Sequence, residues 1–251
     1  MNIALRDGER LNYINENLSL IEYEGGLTFG TDAYLLAAFV KGNYKCCADL
    51  GSGTGVASLL CLARNKYGRA VAAEIQPRYA ELIKRNAELN GFSAKVKVFE
   101  GDIRELGPDF TDGEIDCVIS NPPYLKSTEG FATKTTEMNI ARREMNGTIY
   151  DFAKTASRLL KYGGVFYTVF RPDRLSELIH ALKENNLEPK RLVCVYPDTA
   201  SKPCLVLVES KKGASPTMLH SLPLFIYKDG TRDYTENMTR VYDECSLEFL
   251  F

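Results

Sequence analysis

The chain has little histidine, no clustered cysteine, no long apolar run and almost no net charge, and each shortage removes a class of function. Only His180 and His220 are present, so a mechanism built on a histidine base or a zinc site has little to draw on. Seven cysteines, Cys46, Cys47, Cys61, Cys117, Cys194, Cys204 and Cys245, sit mostly inside apolar segments with no Cys-x-x-Cys or Cys/His metal spacing. Reduced, mostly buried thiols and no metal are expected. No run of about 18 apolar residues occurs, and Met1 to Arg6 lacks the apolar core of a signal peptide, which points to a soluble, cytoplasmic protein without a membrane partner. With 31 basic against 33 acidic residues and a formal charge of −2, a nucleic-acid partner would have to be held by a local patch and not by the whole surface.

What is present fits one main domain with appendages, since the 251 residues are 45% hydrophobic. Residues 1–28 form an arm of short strands turning at Gly25-Gly26. Ala33 to Val40 reads as an apolar helix with Thr31 or Asp32 as N-cap. Cys46 to Leu50 is a short buried strand that runs into Gly51-Ser52-Gly53-Thr54-Gly55 and a helix from Val56 to Lys66. A glycine turn between strand and helix lets a ligand approach the backbone at the positive helix end. The spacing is not Gly-x-Gly-x-x-Gly, and no Gly-Lys-Ser/Thr follows. Asp49 before the first glycine would repel a pyrophosphate and favours a cationic ligand, an amino group or a sulfonium.

A second strand, Ala70 to Ala73, ends at Glu74, and Pro77 opens a helix to about Asn90. An acid there, 23 residues after Gly51, is placed to grip a ribose hydroxyl pair. After a third strand, Lys95 to Phe99, Asp102 is placed to accept from an adenine amino group. A fourth strand, Asp116 to Ile119, closes on Ser120-Asn121-Pro122-Pro123-Tyr124. Two prolines have no N–H to give a ladder, so Asn121, two carbonyls and the Tyr124 ring are left at one strand end. Acceptors beside a flat apolar face suit a planar group bearing NH2; an ordinary Asn-Pro turn is the alternative.

Residues 126–147 are polar and aperiodic, with Lys126, Lys134, Arg142 and Arg143 against Glu129, Glu137 and Glu144. They read as a substrate flap, or otherwise as a disordered insertion. Lys202, Lys211 and Lys212 are the next basic cluster. Helix Ile149 to Leu160, strand Val165 to Phe170 and helix Arg174 to Asn185 follow. Arg191 to Val195 and Leu205 to Val208 are joined too tightly for a crossover helix and must pair antiparallel. The tail, 213–251, reads as an edge strand and turn packed on a domain of residues 29–212.

Alternating strands and helices closed by two directly joined strands imply an α/β fold, a doubly wound Rossmann-like sheet with one antiparallel edge strand. Over residues 29–210 the chain resembles the seven-stranded class I S-adenosylmethionine-dependent methyltransferases. The resemblance rests on Asp49 to Gly55, Glu74, Asp102 and Asn121 to Tyr124 in order. It implies S-adenosylmethionine as cofactor, held by Phe29, Thr31, Asp32, Asp49, Gly51, Gly53, Gly55, Glu74, Ile75, Asp102, Ile103 and Asn121. It implies Asn121, Pro122 and Tyr124 as catalytic residues, with Lys126, Lys134, Arg142 and Arg143 on RNA.

In that superfamily Asn-Pro-Pro-Tyr marks methylation of a planar amide or exocyclic amine nitrogen. Release-factor glutamine methyltransferases share the tetrapeptide but carry an N-terminal helical domain without counterpart here. The chain is more similar to bacterial tRNA adenine-N6 methyltransferases acting beside the anticodon of a valine tRNA, through Phe29-Gly30-Thr31-Asp32-Ala33 and Ile140-Ala141-Arg142-Arg143-Glu144. Many members have Arg-His-Glu where this chain has Arg142-Arg143-Glu144, which keeps the charge but not a histidine contact. A monomeric enzyme acting on tRNA is the expectation. The alternatives are methylation of a release-factor glutamine or an rRNA base, a nicotinamide or nucleotide-sugar enzyme, and a non-enzymatic cofactor-binding module.

Overall fold

A computed structural model describes residues 4–16, 18–26, 30–123 and 147–251. Phe29, Tyr124, Lys126, Lys134, Arg142, Arg143 and the flap up to residue 146 therefore lie outside the described residues. In order the elements are β1 (Glu9–Asn15), β2 (Leu18–Tyr23), α1 (Thr31–Phe39), β3 (Tyr44–Leu50), α2 (Val56–Ala63), β4 (Tyr67–Glu74), α3 (Pro77–Leu89), β5 (Val96–Glu100) and β6 (Ile115–Ser120). Then come α4 (Ile149–Leu159), β7 (Leu160–Phe170), α5 (Leu175–Glu184), β8 (Leu187–Tyr196), β9 (Leu205–Lys212), two-residue β10 (Leu219–His220) and β11 (Leu224–Phe225), and α6 (Glu236–Glu244).

Strands such as Cys46-Cys47-Ala48 are apolar at successive positions because both faces of the sheet are covered. Cys47 joins one core with α1, α2 and α6, while Cys46 and Ala48 join the opposite core with α4 and α5. All seven cysteines are free, five of them buried. The sheet runs β10-β8-β9-β7-β6-β3-β4-β5, with β11 also on β8. Strands β3 to β7 are mutually parallel.

β9 is antiparallel to both β7 and β8, so the antiparallel strand lies one place in from the expected edge. The crossover through α5 carries β8 outward, and the short return drops β9 into the slot between. The tail then adds β10 and β11 to the outer side of β8. It also folds into α6, capped by the Thr235 hydroxyl, which accepts from Met238 N. Met238, Val241, Leu247 and Leu250 are buried in the core, so this segment is more than the edge strand and turn expected.

The arm is a hairpin whose strand β2 is read by two asparagines one turn apart, Asn86 on α3 and Asn90 at its C-cap. Asn86 Oδ1 accepts from Ile21 N at 2.7 Å and Asn90 Oδ1 from Ser19 N at 3.0 Å, and both amides donate back to the same residues' carbonyls. Asn86, fully buried, also donates to Thr54 O at 3.0 Å, which joins the arm to the glycine turn. Three bonds satisfy this buried amide. At the far end of α1, buried Lys66 donates to the carbonyls of Ala37, Ala38 and Val40, satisfying a helix terminus with a cation.

Candidate active site

Chain order reverses at β3: the chain passes outward through β4 and β5, then returns to β6 on the other side of β3. A crevice opens at such a switch point. Leu50 is in register with Ala73 on β4 and with Ser120 on β6. Glu74 and Asn121, each one residue beyond those pairs, therefore flank Gly51. The Ser120 hydroxyl donates to Leu50 O at 2.8 Å and fixes that alignment.

The turn itself requires glycine. Gly51, Gly53 and Gly55 have φ of 74°, 55° and 82°, left-handed values costly for any other residue. At Gly55 a Cβ would also press on Ile83 at 3.2 Å. Gly51 N and Ser52 N both donate to Ala73 O at 2.9 Å, holding the turn over β4.

A cavity of about 400 Å³ lies over these strand ends, a size suited to a small ligand or cofactor. Asp32, Asp49, Gly51, Gly53, Glu74, Ile75, Asp102, Ile103, Asn121 and Pro122 all line it, whereas Thr31 and Gly55 do not. Gly55 is the N-cap of α2. Thr31 opens α1 behind a Gly30 N-cap that makes no side-chain bond. Neither Thr31 nor Asp32 caps that helix, because the Asp32 carboxylate is turned to Ala33 N at 2.9 Å and to Asn121 Nδ2 at 2.9 Å. Ser52, Gln76, Leu36 and Phe152 also line the cavity and were not anticipated. Ser58, which holds Asp49, could have been found as the lone hydroxyl in the apolar run Val56 to Leu62. Phe152 carried no signal beyond helical periodicity.

The cavity is acidic. Among the described residues it is lined by Asp32, Asp49, Glu74 and Asp102 and by no lysine or arginine. Glu74 is buried; its Oε2 accepts from Gly53 N and its Oε1 from Gln76 N, both at 2.9 Å. Burial raises its carboxyl against those bonds. Asp102 accepts from Arg104 N at 2.8 Å and is clasped by the Arg104 guanidinium, which holds its carboxyl below the usual range. Among the described residues no group of three or more His, Cys, Asp or Glu is placed to hold a metal ion. No helix there is long and apolar enough to cross a membrane.

Asp49 gives the acidity a measurable consequence. It is 3% exposed, accepts from Ser58 Oγ at 2.8 Å, and is pushed from 3.8 up to about 6, by burial first, with the nearby Glu74 adding. The folded chain thus holds this proton more tightly than the unfolded one. The resulting stability is full below pH 4 and is lost as pH rises through 6, about 3 kcal/mol at about 1.36 kcal/mol per pH unit. Thermal unfolding from pH 4 to 7 is expected to show wild type losing stability relative to Asp49→Asn over that window. A cationic ligand favours the ionised form, so its affinity for wild type rises with pH over the same range. Parallel pH curves for the two proteins would remove Asp49 from this role.

A doubly wound sheet of this order, with an acidic crevice at the switch point, is an arrangement in which α/β proteins hold small ligands, and comparison with known families narrows it. The family model described as methyltransferase small domain matches residues 24–185. The chain belongs to that family, which supports S-adenosylmethionine as the ligand of the crevice and leaves the nicotinamide reading without support.

The tRNA1(Val) (adenine(37)-N6)-methyltransferase of Porphyromonas gingivalis strain W83 is 30% identical over 156 residues, 59% of this chain and 60% of that one. The protein of the same name from Haemophilus influenzae strain 86-028NP is 25% identical over 226 residues, 88% and 91% of the two chains. The match with the first of these spans about 60% of that relative's length. A solved structure named a predicted O-methyltransferase, from Agrobacterium tumefaciens, superposes with a TM-score of 0.69 at 25% identity, over 86% of this chain and 97% of that one.

Proposed function

We propose that this protein transfers a methyl group from S-adenosylmethionine to the exocyclic N6 of an adenine in tRNA, with the adenine beside the anticodon of a valine tRNA as the expected target. The observation that carries the reading is Asn121 at the end of β6, on the rim of an acidic cavity, with its amide N–H end on Asp32. The names of the relatives support the substrate.

The residues fit the cofactor. Glu74 accepts one backbone N–H on each oxygen, and a carboxylate has lone pairs enough to take two ribose hydroxyls as well. Asp49, buried and with no lysine or arginine beside it in the cavity lining among the described residues, and the other acids balance a positive ligand. Asp102, fixed by Arg104, presents a rigid acceptor to an adenine amino group. When bound, S-adenosylmethionine supplies an electrophilic methyl group on a cationic sulfur.

The chain's own work is to hold and polarise the amine. The N6 lone pair is delocalised into the ring, so it must be drawn out of the ring plane and held in line with the methyl carbon. Asn121 Oδ1 and the Pro122 carbonyl accept the two amine hydrogens, which become more acidic as the N–C bond forms. The surplus proton leaves to water, and no strong base is needed. Tyr124 is the proposed stacking partner for the base, and Lys126, Lys134, Arg142 and Arg143 are the proposed phosphate contacts. Lys212 donates to Ser157 O and Leu160 O at the end of α4, which leaves one of its three N–H groups for a phosphate.

The test is tritium transfer from labelled cofactor to bulk tRNA, beside a release-factor control, with the product digested to nucleosides. Label is expected in tRNA as N6-methyladenosine. Label only in the release factor would overturn the tRNA reading in favour of glutamine methylation. Label in neither would favour a cofactor-binding module or an RNA outside the tRNA pool, such as rRNA.

A further inference from the structure

We infer that Asp32 is a positioning residue that sets the orientation of the Asn121 amide, and is not a ligand of the cofactor. The inference rests on the proposed role of Asn121 as acceptor of the amine. Asp32 lies in the first turn of α1, and its two oxygens have separate tasks: Oδ1 accepts from Ala33 N and Oδ2 from Asn121 Nδ2, each at 2.9 Å. The first bond anchors the carboxylate to the helix, whose positive end favours its charge. The second acts on a residue 89 positions away.

A primary amide has a donor end and an acceptor end that nearly superpose when it turns over. A carboxylate accepts only. Asp32 therefore selects the rotamer with the NH2 end toward α1, which turns Oδ1 away from Asp32. In the reversed rotamer an NH2 would meet the NH2 of the substrate, donor against donor, and the amine would be repelled.

Gly30 leaves the space in which that carboxylate lies. A Cβ at position 30 would lie 2.5 Å from Asp32 Oδ1, so a larger residue there would displace the carboxylate from this position. The residue before the helix is small because the acid folds back over it.

Asp32→Ala is expected to lower turnover of saturated enzyme at least ~10-fold, with KM for tRNA and affinity for the cofactor product within about twofold of wild type. Asp32→Asn has one carbonyl to serve both Ala33 N and Asn121 Nδ2, and its NH2 end can donate to Asn121 Oδ1, so it no longer selects the rotamer and should recover little of the loss. In an Asn121→Ala background, Asp32→Ala should cost less than about twofold, because its effect passes through the missing amide. Gly30→Ala should reproduce the Asp32→Ala pattern.

An equal cost in both backgrounds, or a fall in cofactor affinity with turnover intact, would overturn the proposal. A readout independent of the substrate is the ¹⁵N side-chain amide signal of Asn121 in the protein alone. Its exchange with water is expected to accelerate at least ~10-fold in Asp32→Ala, as a hydrogen bond is lost; an unchanged rate would sink the inference. Because this measurement needs no methyl acceptor, a failure of the tRNA reading and a failure of the positioning role are told apart.

Discussion

Replacing Asn121 by alanine is expected to lower the turnover of saturated enzyme by ~100-fold or more while leaving affinity for the cofactor product within about twofold. The separation follows from where the residue sits. Cofactor contacts are proposed for the ends of β3, β4 and β5, whereas Asn121 follows β6, whose end is held by the Ser120 bond to Leu50 O and does not need the asparagine side chain. Loss of the amide removes an acceptor that matters most when the amine nitrogen gains positive character. Single-turnover methylation of tRNA and calorimetry with the cofactor product check the two halves. A parallel fall in affinity and rate would instead make Asn121 a cofactor-binding residue.

Arg191→Ala is expected to destabilise the fold by about 3–5 kcal/mol, the usual cost of breaking a buried pair from one side. Arg191 on β8 is 3% exposed, lies 3.0 Å from Glu209 on β9, and stands 3.7 Å over the Phe251 ring. A second carboxylate, Glu248, lies 2.7 Å from its other nitrogen. One guanidinium thus joins the antiparallel strand pair to the end of the tail, and its removal leaves Glu209 buried without a partner. Urea unfolding measures the loss. Changing Arg191 and Glu209 together to apolar residues should recover a large part of it, since no charge is then stranded; recovery of nothing would show that contact with Phe251, and not charge, is the main contribution.

Local chemistry made much of this protein legible. Apolar runs such as Cys46 to Leu50 and Asp116 to Ile119 report strands buried on both faces. Gly51, Gly53 and Gly55 report a backbone that must go left-handed. Pro122 and Pro123 report where a strand has to stop. Each is a property of a few adjacent residues, and together they placed Asp49, Glu74, Asp102 and Asn121 at strand ends before their positions were known.

Tertiary structure alone decided what those residues meet. Nothing near Asp32 marks it as the partner of Asn121, and its helical position suggested a cap. The arm's attachment through Asn86 and Asn90 and the clasp of Arg104 on Asp102 carry no periodic signature, whereas the buried face of α6, Met238, Val241 and Cys245, does recur at helical spacing. β9 falls between β7 and β8 because strand order depends on how a crossover and a hairpin share the space beside β7, and hydrophobic alternation is the same for either order. The sequence determined which groups stand at the sheet's carboxyl edge, since backbone preference and burial act residue by residue. The fold determined which of them face one another, since those contacts join side chains tens of residues apart and exist only once the strands are in register.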